Sequence, residues 1–218
     1  MRVLVYGLQS SGASLFTFWL SQLNGYVGVI DLFAGKHPPS MQEVGSENLI
    51  LKATVSDLSF DTCVQEFNPD KKILFIRNPY QNYISLKKKS FKNKGGKIDA
   101  KFKTLNTLFR KKNMFDAVIT YEDFIQNKEE IVRSLNAIEI PVSKDNYFFR
   151  RSPEDIIQYN CEQSEYLAKT HKNKWDIGNI HTIEGVVSLE LKGGGARYLT
   201  RRKVKRFLPH VVEYYYDK

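Results

Sequence analysis

The sequence predicts an α/β protein: a parallel β-sheet flanked by helices. Three observations lead there. Apolar runs of strand length alternate with helix-forming stretches along most of the 218 residues, the pattern of strands joined by crossover helices. Ile73 to Ile76 is apolar without a break, as a central strand covered on both faces requires. Two segments, Arg2 to Phe16 and Lys72 to Ser85, each run from an apolar strand through a polar turn into a helix start.

In chain order, strands are expected near 2–6, 27–31, 49–54, 72–77 and 116–121, and helices near 13–23, 59–67, 79–90, 98–111, 123–136, 153–171 and 200–217. Asn24-Gly25 is a C-terminal stop for the first helix. Ser59 and Asp61 are start signals for the second. Pro79 suits a first helical turn, where a missing N–H costs nothing. Residues 91–97, Phe-Lys-Asn-Lys-Gly-Gly-Lys, read as a flexible loop, and 172–198 as irregular or hairpin-like, with alternation around Val187, Leu189 and Leu191. Pro209 should interrupt the last helix. Asp123 is expected to cap the helix after the fifth strand, with Tyr121 packed beneath.

Composition agrees with one domain spanning 1–218: 42% hydrophobic and 26% charged residues are ordinary for a globular chain. No apolar run approaches the ~20 residues that cross a bilayer. Met1-Arg2 leads straight into the first strand, so no signal peptide is expected. Cys63 and Cys161 form no redox or metal motif and read as buried thiols, which suits a cytoplasmic protein. None of His37, His171, His181 and His210 stands at zinc-ligand spacing, and no metal is expected. Net charge is +9, with basic clusters at Lys87–Lys89, Lys92 to Lys97, Lys101 to Lys112 and Arg201 to Arg206. They fit a field that attracts a polyanionic donor or acidic acceptor, or simply a solvated lysine-rich face. Nucleic acid is not the expected partner, since the sequence shows no recognised single-strand stacking platform.

Gly7 to Gly12 followed by Ala13-Ser14 comes close to the phosphate-binding pattern G-x-x-x-x-G-K-[ST], with Ala13 where the lysine belongs. In such a turn, backbone N–H groups and a helix N-terminus converge on an anion. Arg77-Asn78-Pro79 follows the strand at Ile73–Ile76, and Ser85 lies about two helical turns on. A guanidinium at a strand end and a hydroxyl on the next helix suit a second phosphate. Both segments fall beyond the carboxyl ends of strands, where ligands of open α/β sheets bind. The pair implies one ligand carrying two separated phosphate-like charges.

Together the segments resemble the sulfotransferase family, whose members use 3′-phosphoadenosine 5′-phosphosulfate (PAPS) as sulfuryl donor. Ser10-Ser11-Gly12-Ala13-Ser14 stands where the family's 5′ loop commonly reads K-S-G-T-T. Arg77-Asn78-Pro79-Tyr80-Gln81-Asn82-Tyr83-Ile84-Ser85 matches its R-[ND]-P-x-[DN]-x-x-x-S motif, with Gln81 for the usual Asp. Tyr121-Glu122-Asp123-Phe124 looks like the family's Y-E-D-L, and Lys52-Ala53-Thr54 sits where many members carry K-T-H. The resemblance implies a P-loop-like fold and PAPS contacts from Ser10, Ser11, Gly12, Ala13, Ser14, Leu15, Arg77 and Ser85. It also implies Lys192 and Arg197, in a glycine-containing loop before the final helix, as contacts for the 3′-phosphate and adenine. Trp175 reads either as a base-stacking or as a core residue.

Two departures bear on catalysis: Ser10 replaces the family's loop lysine and Thr54 its catalytic histidine. Sulfuryl transfer needs donors around the departing phosphate and a base near the acceptor. Lys52 is the candidate cation. His37 and Asp31 are candidate bases, an exposed imidazole and a capping carboxylate being their plainer readings. The acceptor is expected to be a small-molecule, carbohydrate or lipid hydroxyl or amine, selected by residues 31–48, 91–112 and 142–198. A P-loop kinase or phosphotransferase, and a non-catalytic nucleotide or nucleic-acid binding module, are the alternatives.

Overall fold

The apolar runs assemble into one sheet. The computed structural model describes residues 1–21, 26–32, 47–55, 59–143, 156–159, 166–168 and 198–216. Its strands are β1 (Arg2–Gly7), β2 (Tyr26–Leu32), β3 (Asn48–Thr54), β4 (Lys71–Ile76), β5 (Ala117–Thr120), β6 (Ile156–Tyr159) and β7 (Tyr166–Ala168). Their spatial order is β5-β4-β1-β3-β2-β6-β7. Every pairing is parallel except β6 with β7. The five expected strands are therefore present, as a parallel sheet, and β1 lies between β3 and β4.

Alternation along each strand feeds two cores. On one face Leu4, Tyr6, Leu49, Leu51, Leu74 and Ile76 pack against Phe60, Phe67, Phe102, Leu105 and Val211. On the other, Val3, Val5, Ile50, Ile73 and Phe75 meet Phe16, Trp19, Phe124 and Leu135. The helices supplying the first face are α2 (Phe60–Phe67), α3 (Pro79–Lys87), α4 (Ile98–Arg110), α7 (Tyr198–Phe207) and α8 (Pro209–Tyr216). Those covering the second are α1 (Ala13–Leu20), α5 (Tyr121–Gln126) and α6 (Lys128–Asn136). Start signals act as expected at two of them: Ser59 accepts from Thr62 N at 3.1 Å, and Pro79 stands in the first turn of α3, where Asn78, not singled out from the sequence, caps by accepting from Tyr80 N at 3.1 Å.

Four expectations are corrected. The helix at 153–171 is not formed: Ile156–Tyr159 and Tyr166–Ala168 are strands. Ile-Ile-Gln-Tyr is β-branched and aromatic, and it extends the sheet beside β2, whose outer edge would otherwise lack a partner. The helix at 123–136 starts earlier and breaks at Asn127, whose side chain caps α6 by accepting from Glu130 N at 3.2 Å. Thr120, not Asp123, is the N-cap of α5; it accepts from Asp123 N at 2.9 Å, and its hydroxyl donates back to Asp123 Oδ2 at 2.7 Å. Only the first half of a capping box is made, since the return bond comes from the Thr120 hydroxyl and not from its backbone N–H. Finally, 91–96 is a series of hydrogen-bonded turns, with Lys94 N donating to Phe91 O at 2.9 Å and Gly96 N to Asn93 O at 3.1 Å. The interruption before Pro209 is as expected, separating α7 from α8. The stop at Asn24-Gly25 and the irregular segment 172–197 lie outside the described residues.

Candidate functional site: the carboxyl edge at β1 and β4

β1 and β4 are neighbours in register Tyr6↔Leu74 and Gly7↔Phe75, so the turn after Gly7 and Arg77 leave the same edge of the sheet side by side. The turn is tightly shaped. Ser10 has φ 61° and Gly12 φ 95°, both left-handed, which at Gly12 favours a residue without Cβ. A Cβ there would also lie 2.4 Å from Tyr121 Cδ2, so the Tyr121 ring fills the space beneath. Ser11 is fully buried, its N–H donating to Leu8 O at 3.1 Å, and Ser11 Oγ accepts from Ala13 N at 3.4 Å. Those two amides serve the turn itself and are not turned towards an anion. Gly12 is the N-cap of α1 and supplies no side-chain cap. The first intrahelical bond is Phe16 N to Gly12 O at 3.0 Å, so Ser14 and Leu15 N–H stand at the open helix start. Ser10 Oγ is buried without a hydrogen bond among the described residues.

Arg77, only 6% exposed, crosses from β4 to this turn: its Nη1 donates to Ser10 O at 3.1 Å. Its guanidinium carbon stands 4.6 Å from the Tyr121 ring centroid, a cation–π distance. Tyr121 thus lies under both the glycine turn and the arginine. Next to it, Glu122 accepts from Asn78 N at 3.0 Å and from Tyr215 OH at 2.9 Å. Burial holds the Glu122 carboxyl above its ordinary range, against those hydrogen bonds and the Arg77 charge. Burial and the Glu122 charge push the Tyr215 phenol upward too, so it remains a donor. Tyr216 OH accepts from Asn78 Nδ2 at 2.6 Å, and its ring lies 5.4 Å from that of Tyr80. The end of α8 is therefore fastened to the Arg77-Asn78-Pro79 corner. Glu122 is a structural link here, joining Asn78 to Tyr215.

The remaining expected residues divide. Ser85 is half-buried on α3, on the helical face of Asn78 and Asn82 by spacing. Lys52 is buried on β3, opposite Val5, and its Nζ donates to Thr54 Oγ1 at 2.6 Å. Thr54, at the position of the family's histidine, thus holds the candidate cation at the strand end, paired across from Gly7. Asp31 lies in β2 with only its backbone described, and His37, Trp175, Lys192 and Arg197 lie outside the described residues. His210 is exposed on α8, 3.4 Å from Glu213 and remote in role from the turn. Cys63 is a buried free thiol, pushed up to about 12 mainly by burial. No group of three or more potential metal ligands occurs among the described residues.

Three residues that sequence reasoning passed over belong to the site. Asn82 Nδ2 donates to Gln9 O at 2.9 Å, and Gln9 Oε1 accepts from Lys101 Nζ. Asn82 had a signal, a polar residue on the helix face that also carries Ser85; Gln9 and Lys101 had none. Lys101 in particular, read as part of a solvated lysine-rich face, is fully buried.

No family model matches the chain, and no curated protein does. Among solved structures, similarity is found to mouse sulfotransferase SULT7A1 complexed with PAP, at 11% identity and TM-score 0.49 over 99% of this chain and 82% of that one. It is also found to retinol dehydratase in a complex with retinol and PAP, at 13% identity and TM-score 0.42 over 90% and 83% of the two chains. A third is retinol dehydratase with androsterone and inactive cofactor PAP, at 13% identity and TM-score 0.43 over 90% and 82%.

Proposed function

We propose that the chain is a PAPS-dependent sulfotransferase acting on a hydroxyl or amine of a small-molecule, carbohydrate or lipid acceptor. One observation carries the reading: the glycine turn and Arg77 leave adjacent parallel strands and meet, guanidinium to Ser10 carbonyl, at 3.1 Å. The residues present suit the donor nucleotide. Ser10 Oγ is a buried, unsatisfied donor, and α1 begins without a side-chain cap, so a 5′-phosphosulfate has both a hydroxyl and helix-start amides to accept from. Arg77 and Ser85 take the 3′-phosphate. Lys192 and Arg197 are assigned from the family pattern to the same end of the nucleotide.

In the transfer, an acceptor oxygen or nitrogen forms a bond to sulfur while the bond from sulfur to the 5′-phosphate oxygen breaks. The electron pair departs with adenosine 3′,5′-bisphosphate, and the acceptor proton passes to a base. Ser10 and the amides of Ser14 and Leu15 stabilise the charge that develops on the phosphate. Lys52 is the nearby cation, held by Thr54. His37 and Asp31 stay the candidate bases. A cytoplasmic setting belongs to the same proposal; no helix among the described residues is long and apolar enough to cross a membrane.

The test is calorimetric titration with adenosine 3′,5′-bisphosphate, with AMP and ATP–Mg²⁺ as comparators. Selectivity for the bisphosphate supports the reading. A preference for ATP–Mg²⁺, or no binding, overturns it. Bisphosphate binding without transfer from PAPS to any of a panel of radiolabel acceptors favours the non-catalytic binding module, for which the Ser10 and Thr54 departures argue.

A further inference from the structure

A lysine side chain that is fully removed from water is rare, because the ammonium loses its hydration shell. Lys101 is such a residue, 0% exposed on α4, though its neighbours Lys103 and Lys97 are exposed. Its Nζ donates to Gln9 Oε1, Lys92 O and Lys94 O, the second at 3.2 Å. Three acceptors from two distant stretches of chain therefore replace the water. Gln9 is the residue immediately before Ser10 and is itself only 9% exposed. Its main-chain carbonyl accepts from Asn82 at 2.9 Å, and its amide donates to Lys94 O at 3.5 Å.

We propose that Lys101 is a positioning residue of the phosphate turn, acting through Gln9 on Ser10 in a loop that lacks its usual lysine. Gln9 is gripped on its main chain from α3 and on its side chain from α4. Ser10, at φ 61° and bonded through its carbonyl to Arg77, follows Gln9 directly in the chain. Holding Gln9 holds the Ser10 hydroxyl and the amides that follow. The same ammonium fastens the turn at 92–94 to the site, so the exposed basic turn and the anion-binding turn share one anchor.

The inference rests on the proposed donor site and is tested with two ligands that differ only at that end: adenosine 3′,5′-bisphosphate and adenosine 3′-monophosphate. In Lys101→Met, affinity for the bisphosphate falls roughly tenfold while that for the 3′-monophosphate changes by less than about twofold. Lys101→Arg, which keeps the charge, recovers most of the loss. A merely structural lysine gives a lower melting temperature and parallel losses on both ligands, and that result overturns the proposal, as does an unchanged bisphosphate affinity. Should Lys101→Met fail to fold, Gln9→Leu interrupts the same link and must show the same split. Wild-type protein that binds neither ligand removes the donor-site reading itself; wild-type binding with unaffected variants removes only the role of Lys101.

Discussion

Replacing Arg77 by alanine removes a cation that reaches the turn directly. The guanidinium is 6% exposed, so its interactions are little screened. It gives one hydrogen bond to Ser10 O at 3.1 Å and a face contact to Tyr121 at 4.6 Å. A hydrogen bond from a charged donor contributes about 1.5–3 kcal/mol. Losing that contact to a 3′-phosphate weakens adenosine 3′,5′-bisphosphate by roughly 10- to 150-fold. AMP has no 3′-phosphate and suffers only through the relaxed Ser10 carbonyl, so its loss stays within roughly a few-fold. The protein itself loses about 1.5–3 kcal/mol from the Ser10 bond, a fall in melting temperature of roughly 3–12 °C for a chain of this size. Calorimetric titration of both nucleotides against wild type and Arg77→Ala, alongside a thermal melt, separates the effects. Equal losses for bisphosphate and AMP refute the assignment of Arg77 to the 3′-phosphate.

Gly12→Ala combines left-handed backbone strain with a collision against Tyr121, so a loss of about 2–5 kcal/mol is expected in urea denaturation; an unchanged midpoint would contradict the Gly12–Tyr121 packing. Glu122 titrates above the ordinary 4.5 when folded. The native state then binds more protons than the unfolded one between those values, and stability falls as pH rises through that window. Glu122→Gln keeps an acceptor for Asn78 and abolishes the decline, so it exceeds wild type in stability at neutral pH and the gap closes below 4.5. Parallel denaturation curves for the two proteins at all pH values would exclude a raised Glu122.

Much of this was legible in the sequence because strand burial is a local pattern. Ile73–Ile76 and Val3–Val5 are apolar on both sides, and the polar turns after them fix where each chain leaves the sheet. Ser59 carries its capping role in its own chemistry. What escaped depends on partners far away in the chain. Lys101 sits in a lysine-rich run, and nothing nearby distinguishes it from Lys97 or Lys103; only the packing of α4 beside Gln9 makes it internal. Ile156–Tyr159 has no alternation long enough to separate strand from helix, and the open edge of β2 decides the matter. The split at Asn127 likewise shows in the sequence only as one polar residue among several.

The placement of β1 between β3 and β4 also governs how the chain assembles on a ribosome. Synthesis delivers β1 first, yet both of its partners arrive later, β4 only when Ile76 has emerged. Until β3 arrives β1 is an apolar strand with two open edges, and until β4 arrives one edge stays open and the glycine turn has no Arg77 to close against. Folding units made of such long-range parallel pairs form slowly and expose sticky surface meanwhile. A nascent chain stalled before Arg77 therefore holds the first half of the candidate nucleotide site without its counterpart.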